Sequence, residues 1–313
     1  MEGVAITAVP RTRVLLTGAA GFIGSHLTRQ LVAEGHDVTA ILRPSEDCWR
    51  IADIRSTITV VEGDLSALSS LMAPLRERAP EVCIHLAWQG WKGSAQDNLA
   101  SLSASLDLMR AMPDLGCRRF VSAGTCYEYD LCDGRLAEDS PLKPREVYGA
   151  CKKALFEIGQ QFAGETGLSV AVSRIFYTYG PYEPPRGLVP HIILSLMRGE
   201  AADLTPGDQI RDYVHAADIA SAIWAVAASD APGAVNIASG EPVTVADIAR
   251  RLGDLLGRPD LIRLGALAHR GTEPMRVLGD ATRLRREVGW SPRFDIGSGL
   301  ADAVAWWRER THV

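Results

Sequence analysis

Residues 12–27, TRVLLTGAAGFIGSHL, decide the fold. Val14, Leu15 and Leu16 form an apolar run that predicts a buried parallel strand. The run ends at Thr17–Gly18, and Gly21 and Gly24 follow at three-residue intervals. Phe22, Ile23, Leu27, Leu31 and Val32 then recur at helical spacing. Strand, glycine turn and helix are the parts of a dinucleotide-binding crossover. Glycine permits the tight turn, lets backbone approach a pyrophosphate and lets helix pack on strand, while the helix N-terminus faces the negative charge. Gly18, Gly21, Phe22, Ile23 and Gly24 are the candidate cradle for that pyrophosphate.

Outward from this segment, strands are expected at about 13–17, 37–42, 58–62, 82–86, 117–122 and 169–174. Helices fill the gaps at about 22–34, 66–78, 94–112 and 146–166. Such alternation implies an α/β fold, a Rossmann-type doubly wound parallel sheet, with ligands outside the carboxyl ends of the strands. After residue 175 prolines and glycines loosen the pattern. Helices return near 188–199, 215–228, 244–256 and 295–309, with strand-like runs near 210–214 and 233–237. The expected division is a dinucleotide-binding domain over 1–175, with about 210–239 returning to it, and a smaller mixed α/β substrate lobe over 176–313.

Bulk properties narrow the function. The chain has 313 residues, 47% apolar and 23% charged, with a net charge of −5. That balance argues against a nucleic-acid binder, and no apolar run reaches membrane-span length. Cys48, Cys83, Cys117, Cys126, Cys132 and Cys151 show neither a C-x-x-C pair nor metal-ligand spacing, so no metal is expected. A reduced, cytoplasmic protein is the simplest reading.

Tyr148-Gly149-Ala150-Cys151-Lys152 sets a phenol and an ammonium one helical turn apart on one face. A free tyrosine is too weak a base near neutrality, and a neighbouring ammonium favours its phenolate, so the pair suits general acid/base work. Upstream, Phe120-Val121-Ser122 leads into Ala123-Gly124-Thr125-Cys126-Tyr127-Glu128-Tyr129 at the sheet edge, where a hydroxyl can bond a substrate oxygen. With the glycine turn, Thr125, Tyr148 and Lys152 resemble the extended short-chain dehydrogenase/reductase family. More narrowly, they resemble its nucleotide-sugar epimerase/dehydratase/reductase branch.

That resemblance implies roles for individual residues. Tyr148 would be the acid/base, Lys152 would hold the nicotinamide ribose, and Thr125 would fill the family's Ser/Thr position. Asp64, followed by Leu65, matches the aspartate that contacts adenine, and Leu86 and Ala87 match the cofactor-lining segment after strand four. Asn98 matches a frequent asparagine and reads equally well as a helix-start cap. Tyr177 stands where relatives carry an asparagine that contacts substrate phosphate, and Leu188 and Val189 resemble the stretch gripping the substrate nucleotide. Arg211, in Gln209–His215, and Arg270, in Arg270–Glu273, match two arginines suited to a diphosphate. Arg276 reads as a solvated surface arginine. The resemblance also implies a homodimer through the helices near 94–112 and 146–166.

Departures from the family pattern bear on the reaction. Strand two ends Ala40-Ile41-Leu42-Arg43, with no acid until Glu46 in the loop. An arginine there suits a 2′-phosphate and favours NADP(H) over NAD. Cys126 and Tyr127 follow Thr125 where 4,6-dehydratases carry an Asp-Glu pair, which argues against that elimination. Cys126 reads as a buried small residue, and either side chain would be available as an extra proton donor. The wording of 123–130 resembles reductases of 4-keto-6-deoxy sugars attached to a nucleotide. A 4-epimerase working through transient oxidation by NAD is the competing enzyme reading. A non-catalytic dinucleotide-binding regulator is a third, opposed by the intact Thr125–Tyr148–Lys152 set.

Overall fold

A computed structural model describes residues 11–89, 93–131, 134–269, 271 and 274–310. Seven strands form the main sheet: β1 (Arg13–Thr17), β2 (Asp37–Leu42), β3 (Thr59–Glu62), β4 (Val82–His85), β5 (Arg119–Thr125), β6 (Ser169–Ile175) and β7 (Gly233–Ile237). Their order is β7-β6-β5-β4-β1-β2-β3, and all neighbours are parallel. The order reverses between β1 and β4, which leaves a crevice at their carboxyl ends.

Period-two alternation along the strands feeds two cores. Val14, Leu16, Ala40 and Ile84 face one side, against Leu27 and Leu31 of α1 (Phe22–Ala33). Leu15, Ile41, Cys83 and Phe120 face the other. There they meet Leu75 of α2 (Met72–Arg78) and Leu108 and Met109 of α3 (Ala95–Ala111). The last long helix of this layer, α4 (Val147–Thr166), ends on Gly167 in the left-handed conformation.

A further core lies beyond the sheet. Val189, Ile192 and Ile193 of α5 (Leu188–Met197) pack with Ile248 and Leu252 of α7 (Val245–Leu256). Leu300, Val304 and Trp307 of α9 (Ile296–Arg310) complete it. Two further helices intervene, α6 (Ala216–Ala228) and the short α8 (Thr282–Arg286). Although α6 follows this lobe's first strands, it carries Ile219, Ile223 and Val226 into the main-sheet core. A small mixed sheet orders Val243–Thr244, Ile210–Arg211, Arg276–Gly279 and Arg135–Leu136.

The helix expected over 66–78 is two pieces, a 3₁₀ segment Leu65–Leu71 and then α2. Ala67 breaks helical geometry after the Asp64 carboxylate accepts the Ser66 N–H at 2.8 Å. That local bond competes with the helical ladder. No helix among the described residues is long and apolar enough to cross a membrane.

Candidate active site

The β1/β4 crevice opens into a cavity of about 800 Å³ lined by Thr17, Gly18, Arg43, Asp64, Ala87 and Trp88, among others. Gly18 has φ +73°, and a Cβ there would lie 2.8 Å from the Ala87 nitrogen, so only glycine lets β1 and β4 close up. A Cβ on Gly24 would strike the Gly18 carbonyl. Helix α1 begins after Gly21 with no side-chain cap, leaving its first-turn N–H groups to an anion. The cradle and the open helix terminus fit a dinucleotide pyrophosphate. Phe22 turns its ring toward His26 and Ile23 packs on the core, so these two offer backbone rather than side chains.

Charged residues sit at the far end of the cavity. Asp64, Leu65 and Gly63 line it together, and bonding to Ser66 holds the Asp64 carboxyl below its usual range. Glu46 lies in the loop after strand two, as its sequence position implies, and the structure brings it back to the cavity. The loop folds back so that Glu46 accepts the Arg43 backbone N–H at 3.3 Å, and its carboxylate stands 3.9 Å from Arg43 Nε. Both residues line the cavity.

The same geometry shows His85 as a tie that sequence reasoning passed over. Its Nδ1 lies 2.7 Å from Thr17 Oγ1 and its Nε2 2.8 Å from Ser105 Oγ, joining β1, β4 and α3. Burial, followed by the Lys152 charge, pushes it down to about 3, so it works as a neutral imidazole.

Helix α4 presents Tyr148 and Lys152 to the end of β5. A Cβ on the intervening Gly149 would collide with the Tyr127 carbonyl, so the missing side chain lets the helix seat on this turn. Lys152 is 4% exposed, and its Nζ donates to the Ala123 carbonyl at 2.7 Å. Burial pulls it down to about 7, opposed by the nearby Glu128 carboxylate. Burial raises the Tyr148 phenol well above its ordinary value, and hydrogen bonding with Thr125 acts in the opposite direction. The phenol is therefore a proton donor at neutral pH.

Thr125 is held from behind. Its N–H donates to Glu128 Oε1 at 2.8 Å, and Arg174 Nε donates to Glu128 Oε2 at 2.8 Å. Cys126 is buried, and desolvation pushes its thiol up to about 12.

Toward the C-terminal lobe, the Tyr127 and Tyr177 hydroxyls lie 3.3 Å apart. The Arg211 guanidinium sits 5.2 Å from the Tyr177 ring centroid and is 2% exposed. Asp212 anchors the strand behind it, accepting from Ser239 and Gly240 N–H at 2.7 and 2.9 Å and from Gly279 N–H at 3.1 Å.

Several expected residues occupy different settings. The Val189 side chain is core, at 1% exposure, while Leu188 opens α5. Asn98 is not the cap of α3. Ser94 caps that helix in a capping box with Asp97, and Asn98, a turn later and buried, accepts the Trp88 indole N–H at 2.8 Å. Arg276 is not a freely solvated arginine, because its Nε is buried. Arg270 lies outside the described residues. Among the described residues no group of three or more His, Cys, Asp or Glu is placed to hold a metal ion.

Comparison with known proteins accords with this geometry. A dTDP-glucose 4,6-dehydratase of Xanthomonas campestris pv. campestris is 26% identical, covering 94% of this chain and 92% of its own. A dTDP-4-dehydro-6-deoxy-D-allose reductase of Streptomyces bikiniensis is 28% identical, covering 95% and 97%. A dTDP-glucose 4,6-dehydratase from Streptomyces venezuelae, solved with NAD bound, superposes with a TM-score of 0.84 at 28% identity, covering 95% and 97%. Residues 14–238 match the NAD dependent epimerase/dehydratase family, from the glycine turn through the Arg211–His215 segment, and the chain belongs to that family.

Proposed function

We propose that this enzyme reduces a keto group of the 4-keto-6-deoxyhexose type on a nucleotide-diphosphate sugar, with Tyr148 as proton donor. The observation that carries this reading is the turn after Thr125. It presents the buried thiol of Cys126 and the phenol of Tyr127, while its carboxylate, Glu128, is turned inward onto Arg174. Elimination of water needs an acid and a base at the sugar, whereas carbonyl reduction needs one proton donor beside the hydride path. The reductase relative supports the same choice.

The dinucleotide, when bound, supplies hydride from nicotinamide C4 to the carbonyl carbon. Tyr148 gives its phenolic proton to the carbonyl oxygen, and the Thr125 hydroxyl donates a hydrogen bond to that oxygen as negative charge develops. Lys152 in its ammonium form stabilises the phenolate left on Tyr148. Arg211 is assigned to the substrate diphosphate with Tyr177 beside it, and Leu188 and Val189 are assigned to the substrate nucleotide, Val189 through its backbone. Arg270 is assigned to the same diphosphate from its sequence match.

For the cofactor we assign NADP(H) over NAD, on the guanidinium that Arg43 offers a 2′-phosphate. We also assign a homodimer through α3 and α4, whose Leu99, Val147 and Ile158 are exposed at 56, 43 and 44%.

The test is consumption of NADPH with a nucleotide-linked 4-keto-6-deoxyhexose by the wild type and by Tyr148→Phe. A loss of about 10²–10⁴-fold in kcat with cofactor affinity retained is expected. Protein that purifies with bound NAD and interconverts C4 epimers without net NADPH consumption would replace the reductase with the epimerase.

A further inference from the structure

Trp88 follows β4 and lines the cavity, yet none of the assignments above gives it a role. It sits among three of the residues that matter most. Lys152 Nζ lies 3.8 Å from the centroid of its ring, a close cation–π approach. Its indole N–H donates to Asn98 Oδ1 at 2.8 Å, and the Asn98 amide is fixed by the Ser94 carbonyl at 3.0 Å. The Tyr148 ring meets it edge to face at 6.2 Å.

We propose that Trp88 is a positioning residue for Lys152. Its indole face holds the ammonium in place, and its N–H ties that arrangement to the first turns of α3.

The need for such a group follows from the surroundings. Lys152 is buried, and its hydrogen bond to Ala123 O among the described residues satisfies one of three N–H donors. The titratable groups facing the Lys152–Tyr148 pair are Glu128, Cys126 and Tyr127 from the β5 turn, His85 from β4 and Cys151 on α4 itself. Of these, the thiols and phenols are neutral near pH 7 and His85 does not charge, so Glu128 is the anion that supports the ammonium. An aromatic face supplies further negative potential without adding a second anion that would oppose ionisation of Tyr148. One carbonyl and one ring also leave part of the ammonium for ribose hydroxyls. The inference rests on the acid/base reading of Lys152, but its test needs no sugar substrate.

The chain has only four lysines, Lys92, Lys143, Lys152 and Lys153, so lysine-selective ¹³C NMR resolves each and Lys152→Met assigns the signal. In the wild type, the Lys152 ε-methylene protons should be displaced by the Trp88 ring current, and Trp88→Leu should abolish that displacement. Trp88→Phe and Trp88→Leu leave side chains of similar bulk, one with a π face and one without. The Lys152 midpoint should lie lower in the leucine variant by about half a pH unit or more. An undisplaced wild-type signal overturns the contact, whether or not either variant folds. Equal midpoints, or a higher one in Trp88→Leu, overturn the electrostatic role. Reductase activity absent from a protein that passes both readouts would count against the assigned reaction and leave the role of Trp88 standing.

Discussion

Arg174 donates from Nε to Glu128 at 2.8 Å, and both side chains are completely buried. The second Glu128 oxygen takes the Thr125 N–H, so the ion pair fixes where β5 ends and where the Thr125 hydroxyl is presented. Breaking one half of a buried pair leaves the other charge uncompensated. Glu128→Ala should destabilise the fold by about 3–5 kcal/mol, and Glu128→Gln, which keeps an acceptor for Thr125, should cost less. Urea denaturation of the three proteins checks the order.

Arg43 and Glu46 make opposite contributions to one lip of the cavity. Arg43→Ala should weaken NADPH far more than NADH, because a charged hydrogen bond is worth about 1.5–3 kcal/mol. Glu46→Gln should act the other way and tighten NADPH by relieving repulsion of the 2′-phosphate. Calorimetric titration with both nucleotides decides it, and equal effects on the two would remove Arg43 from cofactor choice.

Arg211 is buried against Tyr177 rather than waving in solvent. Arg211→Lys keeps the charge and loses the planar fork that grips a diphosphate. The KM for the nucleotide sugar should rise about tenfold, with NADPH affinity almost unchanged. A loss confined to cofactor binding would contradict the assignment.

Glu183 gives a pH signature. Its carboxyl is 8% exposed, packs on Gly187 at the start of α5, and has a buried Oε2 with no hydrogen-bond partner among the described residues. Burial pushes it up to about 8. A group whose pKa rises on folding holds its proton more tightly in the native state, so stability falls as pH climbs from about 4.5 to about 8. Glu183→Gln should remove that decline and leave the variant more stable than wild type at pH 8, by about 1–3 kcal/mol. Melting temperatures across this range provide the measurement.

The proposed dimer rests on a specific exposed surface. Ile158→Asp, on the open face of α4, should yield monomers at micromolar concentration without loss of helical signal. Sedimentation that finds the wild type already monomeric would dispose of the interface.

The main sheet was legible because its strands are apolar runs, several of them, such as β1 and β3, closed directly by a glycine, and its helices carry a clear period. Short pieces such as Arg135–Leu136 and Arg276–Gly279 were not, because two to four residues bear no period and are fixed by partners far along the chain. Spacing put Tyr148 and Lys152 on one face. It gave no sign that Glu46 folds back onto Arg43, which depends on the path of a loop. Trp88 was invisible as a partner of Lys152 for a similar reason: 64 positions separate two residues brought together by the sheet. An indole directly after the expected cofactor-lining pair Leu86–Ala87 was the one available signal.

Gly149 has a consequence for how such an enzyme can change. Helix α4 rests at this point on the Tyr127 carbonyl, an atom that every amino acid possesses. The distance from the phenol and ammonium to the end of β5 is thereby set against main chain rather than against the Tyr127 side chain. Position 127 can exchange phenol, carboxyl or methyl without disturbing the helix that bears Tyr148, whereas Cys126 is buried in a core cluster. Side chains can therefore be varied at 127 while the Tyr148–Lys152 pair keeps its alignment, and libraries randomised at Tyr127 with Gly149 held constant should retain folded, cofactor-binding protein in most members.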